Sequence, residues 1–199
     1  GGCHDTDIGL STFGRNVVEE MNRVGMVVDC SHSGYRTTME AMERSTAPAI
    51  FSHSNPRVLW DHERNILDEQ ARACAATGGV IGVNGIGLFL DGASTRTDAM
   101  ADHAEYLLDL VGDSHVGIGL DYFFAGEGGV GQAFEEVVAA NAHYWPTNQY
   151  PPGQEMRCAA PSQLRELGAL LLQRGRSEKT VRGVLGENFA RVATHVWGG

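Results

Sequence analysis

Three short apolar segments of this chain each run into a residue that can bind a metal ion or its water. The three pairs are residues 26–30 followed by His32, residues 49–51 followed by His53, and residues 116–120 followed by Asp121. Short apolar runs of this kind are typical of buried strands in a parallel sheet. The strands of a parallel α/β barrel converge at their carboxyl ends, where such enzymes carry their sites, so the pattern predicts a metal-centred site on that face.

Helical spacing of apolar residues fills the stretches between the strands. The predicted helices are residues 10–24, 35–44, 68–77, 97–111, 134–142, 162–174 and 177–196, and a further strand is predicted at 80–83. Asp68 is predicted to cap the third of these helices. Strands that alternate with helices favour a parallel sheet. We therefore predict an α/β fold of about four βα units, followed by C-terminal helices. A closed eight-stranded barrel needs roughly 250 residues, so the four units make about half of one. With no linker in the sequence, we expect residues 1–199 to form a single domain.

Three stretches lack a clear period and are predicted to be mainly loops. They are residues 55–66, 84–96 and 123–161. A connection as long as the last one is usually functional when it lies on the ligand face. The glycines at 126–131 lack the strand before and helix after them that a phosphate-binding loop requires, so a nucleotide site is disfavoured.

His32 and His53 are the strongest candidates for metal ligands. A neutral imidazole at the rim of a sheet is a good ligand for zinc. For either histidine alone, a hydrogen-bonded loop residue is an equally good interpretation, but the pair together with Asp121 favours a metal. Asp121 at a strand tip can orient or deprotonate a metal-bound water, and its alternative is to cap the following segment. Asp29 is interpreted as a residue that orients a ligand or caps a turn.

Arg64 is the candidate for binding a substrate. It lies in a polar loop on the predicted ligand face, where a guanidinium suits bidentate capture of a carboxylate. A surface ion pair with Asp61 or Glu63 explains its spacing equally well, and Trp60 and His62 are weaker candidates. The histidines interpreted as structural are His103, His115, His143 and His195.

Charge and composition exclude several classes of protein. The chain has 15 Lys and Arg against 25 Asp and Glu, a net charge of -10, so nucleic acid is not an expected partner. Its four cysteines form no Cys-x-x-Cys pair, which argues against a zinc knuckle. The longest apolar stretch, residues 78–90, is too short to span a bilayer, and no signal peptide opens the chain. We therefore expect no membrane segment and a cytoplasmic protein, with export left open because the N-terminus is absent.

Several motifs along almost the whole chain carry a resemblance to a known family. In chain order they are Gly-Leu-Ser-Thr-Phe-Gly at 9–14, Glu-Met-Asn-Arg-Val-Gly-Met-Val-Val-Asp-Cys-Ser-His at 20–32, Ile-Phe-Ser-His-Ser at 50–54, Arg-Asn-Ile-Leu-Asp-Glu at 64–69, Gly-Ile-Gly-Leu-Asp at 117–121 and Gly-Glu-Asn-Phe-Ala-Arg-Val at 186–192. Together they resemble the membrane (renal-type) dipeptidase family, peptidase family M19, and within it the bacterial members.

The resemblance implies a metal-dependent (β/α)8 barrel with two zinc ions and a bridging water. It implies that His32 and His53 ligate one zinc, that Asp121 contacts the bridging water and carries its proton, and that Arg64 holds the carboxylate of a dipeptide. The expected reaction is zinc-dependent hydrolysis of dipeptides, with tolerance for a D-residue at the C-terminal position.

The chain departs from the family pattern in its N-terminal part. The family's second zinc is held by a His-x-Asp pair at the end of the first strand, a bridging Glu comes from a later strand, and a further His lies near mid-chain. None of these groups has a match in the sequence. His4 and Asp5 do not form a His-x-Asp pair, because they are adjacent. The resemblance thus implies that residues 1–199 are the C-terminal portion (about four βα units) of a metal-dependent-hydrolase (β/α)8 TIM barrel plus C-terminal helices, with the N-terminal strands missing. We therefore expect the C-terminal half of a longer enzyme, with one partly liganded zinc site and negligible activity alone. Two other hypotheses are a non-enzymatic half-barrel that self-associates as a homodimer, and an amidohydrolase that acts on another amide or a lactone.

Overall fold

Short strands alternate with helices along the chain. The computed structural model describes residues 2–4, 6–122, 131–153 and 156–198, with residues 131–135 described by their backbone alone. The strands within these residues are β1 (Val28–Asp29), β2 (Ala49–Ile50), β3 (Ile81–Val83) and β4 (Val116–Ile118). The glycines at 126–129 that were considered for a nucleotide site lie outside the described residues.

All the strand pairs of the described residues are parallel. β1 pairs with β2, β3 pairs with β4, and a parallel bridge between Phe51 and Ile81 joins the two pairs. The strands therefore follow one another in chain order, with helices as the connections between them. This arrangement confirms the predicted parallel α/β fold.

Each strand is shorter than predicted, because its hydrogen bonds continue into irregular backbone. Cys30 N donates to Ile50 O at 2.8 Å, and Ser54 N donates to Gly82 O at 2.7 Å, both beyond the regular strands. The chain thus stays attached to the sheet as far as the residues that follow the strands, where the candidate site lies.

The helices mostly fall where the apolar spacing predicts them. They are α1 (Thr12–Arg23), α2 (Tyr35–Arg44), α3 (Asp68–Ala76), α4 (Gly87–Leu90), α5 (Thr97–Val111), α6 (Gly131–Ala140), α7 (Leu164–Gln173) after a 3-10 turn at Pro161–Gln163, α8 (Glu178–Arg182) and α9 (Asn188–Trp197). Ser11 caps α1 by accepting a hydrogen bond from Gly14 N, as expected of serine at this position. No helix of the described residues is both long and apolar enough to cross a bilayer.

Two local predictions were wrong. The predicted loop at 84–96 contains the short helix α4, because its four residues are all buried and fold into one compact turn. Asp68 was predicted to cap α3, but it is the first helical residue. The start of α3 is capped instead by Gln70, whose Oε1 accepts a hydrogen bond from Leu67 N at 2.9 Å.

The predicted single helix at 177–196 is interrupted. A π-helical turn at Gly183–Glu187 separates α8 from α9, and Gly186 leaves helical geometry with φ 159° and ψ -27°. The wide turn brings the amide of Asn188 to the start of β4, where its Nδ2 donates to Asp113 O at 2.7 Å and Val116 O at 2.8 Å. A side chain that binds the sheet thus accounts for the irregular turn.

The hydrophobic core lies between the strands and helices α3, α5 and α7. Its completely buried members include Phe51, Ile81, Met100, Leu107, Leu167 and Leu171. A second, smaller cluster contains Ile86, Leu88, Phe89 and Tyr150, with Val138, Trp145 and Met156 packed against it. This second cluster lies beside the candidate site and forms part of its wall.

Gly82 and Gly119 allow β3 and β4 to approach the chain that follows β2. A Cβ atom at Gly119 would lie 1.7 Å from Ser52 O, and one at Gly82 would lie 2.2 Å from the same oxygen. Contacts this short are possible only without a side chain. The two glycines therefore bring the end of β4, and Asp121 with it, close to His53.

Candidate functional site

The four side chains proposed from the sequence lie together at the carboxyl ends of the strands. The ring centroids of His32 and His53 are 5.8 Å apart, and the rings are nearly perpendicular. Asp121 Oδ2 lies 3.9 Å from His53 Nε2 and 3.6 Å from Arg64 Nη2. His32, Arg64 and Asp121 line a cavity of about 480 Å³, a size typical of small-molecule sites.

His53 is held in one orientation by a chain of hydrogen bonds. Ser52 Oγ lies 2.5 Å from Asp29 Oδ2 and 2.6 Å from His53 Nδ1. An ionised carboxylate only accepts hydrogen bonds, so the Ser52 hydroxyl donates to Asp29 and accepts from His53 Nδ1–H. The lone pair of His53 is then on Nε2, the atom that faces Asp121. Asp29, the last residue of β1, thus orients a candidate ligand through Ser52.

Both candidate ligands are neutral imidazoles near pH 7. Burial lowers the pKa of His32 and of His53, and the positive charge of Arg64 lowers both pKa values further. A neutral imidazole offers a lone pair to a cation. The pair therefore has the protonation state that zinc binding requires.

Asp121 has an unusual backbone and a fixed side chain. Its φ of 56° lies in the left-handed region, which aspartate tolerates better than most residues. Asn84 Nδ2 donates to Asp121 Oδ2 at 3.4 Å, and Asn84 N in turn donates to Asn55 Oδ1 at 2.9 Å. Sequence reasoning missed both asparagines. The alternative role of Asp121 as a cap involves residues 123–130, which lie outside the described part of the chain.

Arg64 is a buried cation that faces the cavity. Its side chain is only 5% exposed, and its Cζ lies 4.8 Å from the centroid of the Phe89 ring. Burial lowers the pKa of the guanidinium, which still stays charged in a protein. The alternative of a surface ion pair does not hold, because Asp61 pairs with Arg57 and Glu63 pairs with His4.

A network that the sequence did not indicate fixes the loop of Arg64. His4 joins two partners, with Nδ1 2.7 Å from Glu63 Oε2 and Nε2 3.0 Å from the hydroxyl of Tyr150. The amide side chain of Gln149 accepts from Glu63 N at 3.0 Å. These partners are 59 to 146 positions apart in sequence, so no local pattern could reveal them.

Of the remaining histidines, one lines the cavity and three are hydrogen-bonded to backbone groups. His143, interpreted from sequence as structural, lines the cavity. His103 Nε2 lies 2.8 Å from Leu90 O, and His115 Nδ1 lies 2.8 Å from Gly79 O. His62 bridges two segments: its Nδ1 accepts from Arg64 N and its Nε2 contacts Gln149 O at 3.2 Å.

The donor atoms of the site fit part of a zinc coordination sphere. Two imidazole nitrogens and a nearby carboxylate are the ligand types that zinc selects. Among the described residues, however, no group of three His, Cys, Asp or Glu is arranged to hold a metal ion. The part of the site that the structure describes therefore offers two candidate ligand nitrogens and an adjacent carboxylate, which is fewer than the four ligands of a typical zinc site.

We predict that His62 makes stability fall as the pH falls below about 6.5, its unfolded pKa. Burial lowers the pKa of His62 to about 4, so the unfolded chain binds more protons between these two values. The contribution of His62 to the free energy of unfolding is fully present above the pKa of the unfolded chain. It is lost as the pH falls towards the pKa of the folded protein. At about pH 5 the loss from this group is on the order of 2 kcal/mol.

This loss can be measured by guanidinium unfolding of the metal-free complete protein at about pH 7.5 and about pH 5. A His62→Gln variant should lose less stability between the two conditions than the wild type. The exposed His195→Gln variant is the matched control and should behave like the wild type. An equal loss in all three proteins would contradict the assignment.

Comparison with known proteins identifies the family. Residues 2–142 match the model of the membrane dipeptidases, peptidase family M19. Dipeptidase 3 of Rattus norvegicus is 32% identical over 189 residues, which cover 94% of this chain and 33% of the rat protein. The chain thus spans about a third of that relative's length.

Solved structures agree with this match. The crystal structure of an amidohydrolase from Pseudomonas aeruginosa aligns with a TM-score of 0.81 and 36% identity, covering 100% of this chain and 61% of that one. A dipeptidase described as a metallo peptidase of family M19 shares the fold, with a TM-score of 0.72 and 24% identity over 100% of this chain and 52% of that one. With a family model that matches well over half of its residues, the chain belongs to the membrane dipeptidase family, peptidase family M19.

Proposed function

We propose that the complete protein is a zinc-dependent dipeptidase and that this chain contributes His32, His53, Arg64 and Asp121 to its active site. The observation that carries the proposal is the meeting of two neutral imidazoles, a carboxylate and a buried guanidinium beside one cavity. Membership of a dipeptidase family supports the reaction class.

We also propose that the strands belong to a (β/α)8 barrel and that residues 1–199 form one domain of it. Support comes from the parallel strands in chain order. In the described residues β1 and β4 each pair with one neighbour only, so further strands can add at both edges. The other strands, the His-x-Asp pair and the bridging Glu of the family pattern would come from the rest of the complete protein.

His32 and His53 are proposed to hold one zinc ion together with ligands from the rest of the complete protein. Bound zinc supplies a Lewis acid that polarises the scissile carbonyl and lowers the pKa of the attacking water. The hydrogen-bonded chain from Asp29 through Ser52 keeps the lone pair of His53 on Nε2. His32 lines the cavity, so its imidazole is at the surface that a substrate reaches.

Asp121 and Arg64 are proposed to act on the substrate. Arg64 binds the C-terminal carboxylate, while Asp121 accepts a proton from the attacking water and passes it to the leaving amine. In a dipeptide the scissile nitrogen is about 2.5 Å from the carboxyl carbon of the same residue. The proton carrier and the carboxylate-binding group must therefore be close neighbours, which agrees with their separation of 3.6 Å.

The proposed function is tested by hydrolysis assays on the complete, zinc-supplied protein. We expect cleavage of dipeptides, including those with a C-terminal D-residue. Activity should be lost after chelation and restored by zinc. Residues 1–199 alone should show negligible activity. Failure of the zinc-loaded complete protein to cleave any dipeptide would overturn the proposal.

A second candidate function is hydrolysis of another amide or a lactone. This candidate is considered because the similar protein from Pseudomonas aeruginosa is described as an amidohydrolase. The buried Arg64 argues for substrates with a free carboxylate. Parallel assays with N-acyl amino acids and lactones would distinguish the two candidates, since a dipeptidase should leave the lactones intact.

We predict that Ser52→Ala weakens zinc binding about 10- to 100-fold, the usual effect of removing a residue that orients a metal ligand. Without the hydroxyl, His53 loses the hydrogen bond that fixes its tautomer. Zinc affinity of the complete protein is measured by competition with a chelator. The matched control is Ser114→Ala at an exposed site, and unchanged affinity in the Ser52 variant would contradict the proposed orientation of His53.

A further inference from the structure

The cavity beside Arg64 has one predominantly apolar and aromatic wall. The residues of this wall are Ile86, Phe89, Tyr144, Trp145, Tyr150 and Met156. They come from the segment around α4, from residues 144–150 and from Met156, and most of them pack together in the second hydrophobic cluster. A wall of this composition favours contact with apolar groups of a ligand.

The part of this wall nearest Arg64 is held in place before any ligand binds. Tyr150 is only 6% exposed, and its hydroxyl is hydrogen-bonded to His4. Its ring lies 6.3 Å from Phe89 and 5.5 Å from His62, in edge-to-face contact with each. Ile86 N donates to Asn84 Oδ1 at 2.6 Å, so the wall is also tied to the residue that contacts Asp121. A preformed wall costs little ordering entropy when a ligand binds.

The charged side chains of Arg64 and Asp121, which line the cavity, already have proposed roles towards the backbone of a dipeptide. Within the described residues, Arg64 and Asp121 are the only Arg, Lys, Asp or Glu that line it. The nearby carboxylate of Glu63 is hydrogen-bonded to His4. A charged substrate side chain would therefore lose its hydration without gaining a separate Arg, Lys, Asp or Glu partner among these described lining residues, which is unfavourable.

The carboxylate and side chain of the C-terminal residue are attached to the same Cα atom. If Arg64 binds the carboxylate, the side chain must leave the Cα within two bonds of that contact. Phe89 stacks against the guanidinium at 4.8 Å, and Tyr150 packs on Phe89. A side chain that leaves the Cα at this point has the apolar wall next to it, since Trp145 and Met156 pack on the cluster that contains Phe89 and Tyr150.

We propose that this site selects dipeptides whose C-terminal residue has a large apolar or aromatic side chain. The inference rests on the proposed dipeptidase function and adds a substrate class to it. Burial of one large apolar side chain changes binding by roughly 10- to 100-fold, and the preference should be of this size.

The test compares substrates of the complete zinc-loaded protein. We expect kcat/KM for alanyl-phenylalanine to exceed that for alanyl-glutamate by about 10- to 100-fold. Titration calorimetry with non-hydrolysable phosphinate mimics of the two dipeptides should give the same order of affinities, so the result does not depend on turnover alone. Varying the N-terminal residue instead should have a smaller effect.

Variants locate the preference in the wall. Trp145→Ala should reduce the ratio between the two substrates at least several-fold, and Trp145→Phe should restore most of it. The matched control is Trp197→Ala, at a 69% exposed position on α9, which should keep the wild-type ratio. If the Trp145→Ala variant does not fold, the comparison of substrates on the wild type still tests the preference for a large apolar C-terminal side chain.

The possible outcomes separate the two proposals. Cleavage of both dipeptides at similar kcat/KM, or a preference for the acidic one, would overturn the side-chain inference and leave the dipeptidase function standing. Absence of both cleavage and binding for every dipeptide would overturn the two together. A preference that survives unchanged in Trp145→Ala would overturn the assignment to this wall.

Discussion

Asp121→Asn in the complete protein is expected to lower kcat for dipeptide hydrolysis by about 10²- to 10⁴-fold, the range for loss of a general acid–base group. The amide has the shape of the carboxylate but cannot accept the proton of the attacking water. Asparagine also tolerates the left-handed backbone at this position, where φ is 56°, so the loss should not come from misfolding.

Zinc content distinguishes a proton carrier from a ligand. If Asp121 carries the proton, the variant should retain its zinc, measured by mass spectrometry of the metal, while kcat falls. The matched control is Asp109→Asn, where the carboxylate is 70% exposed and pairs with Arg176 on the protein surface. Normal kcat in the Asp121 variant would contradict the role, and loss of zinc together with activity would make this residue a ligand.

Arg64→Met is expected to lower kcat/KM for dipeptides by about 10²- to 10³-fold, since breaking a buried charge pair costs several kcal/mol. Methionine keeps much of the apolar volume of the side chain and removes its charge. The effect should depend on the substrate: the wild type should prefer a dipeptide over its C-terminal amide, and the variant should treat the two nearly alike.

Stability provides an independent readout for the same variant. A buried guanidinium that lies 3.6 Å from the carboxylate of Asp121 is costly to desolvate, so its removal is not expected to lower the melting temperature. Arg57→Met, in the same loop but paired with the 83% exposed Asp61, is the control and should keep the preference for the free carboxylate. A variant at Arg64 that still discriminates against the amide would contradict the proposed contact.

The residues of the candidate site could be found from sequence because their signals are local. Each of His32, His53 and Asp121 follows an apolar run that forms a strand, and parallel strands bring their carboxyl ends together whatever lies between them. The bounds of α2 and α5 were predicted for the same reason, since the spacing of apolar residues is a property of one segment. The family resemblance was confirmed by the match over residues 2–142.

Other features depend on contacts between distant parts of the chain. The sequence spacing of Arg64 was equally consistent with a surface ion pair. Only the folded structure shows that its side chain is 5% exposed and therefore buried. The network of His4, Glu63 and Tyr150 joins residues up to 146 positions apart. The π-helical turn before α9 similarly follows from hydrogen bonds between Asn188 and the start of β4, which no helical period could indicate.

The glycines at 82 and 119 restrict how this protein can vary. Both positions face one carbonyl oxygen, that of Ser52, so even a methyl group at either would push its own segment away from the chain that follows β2. The same displacement would move Asp121 away from His53, although neither glycine contacts a substrate. Substitution of these residues would therefore reach the reaction centre through the backbone, and a survey of natural or laboratory variants should find the two positions as intolerant of change as the site itself.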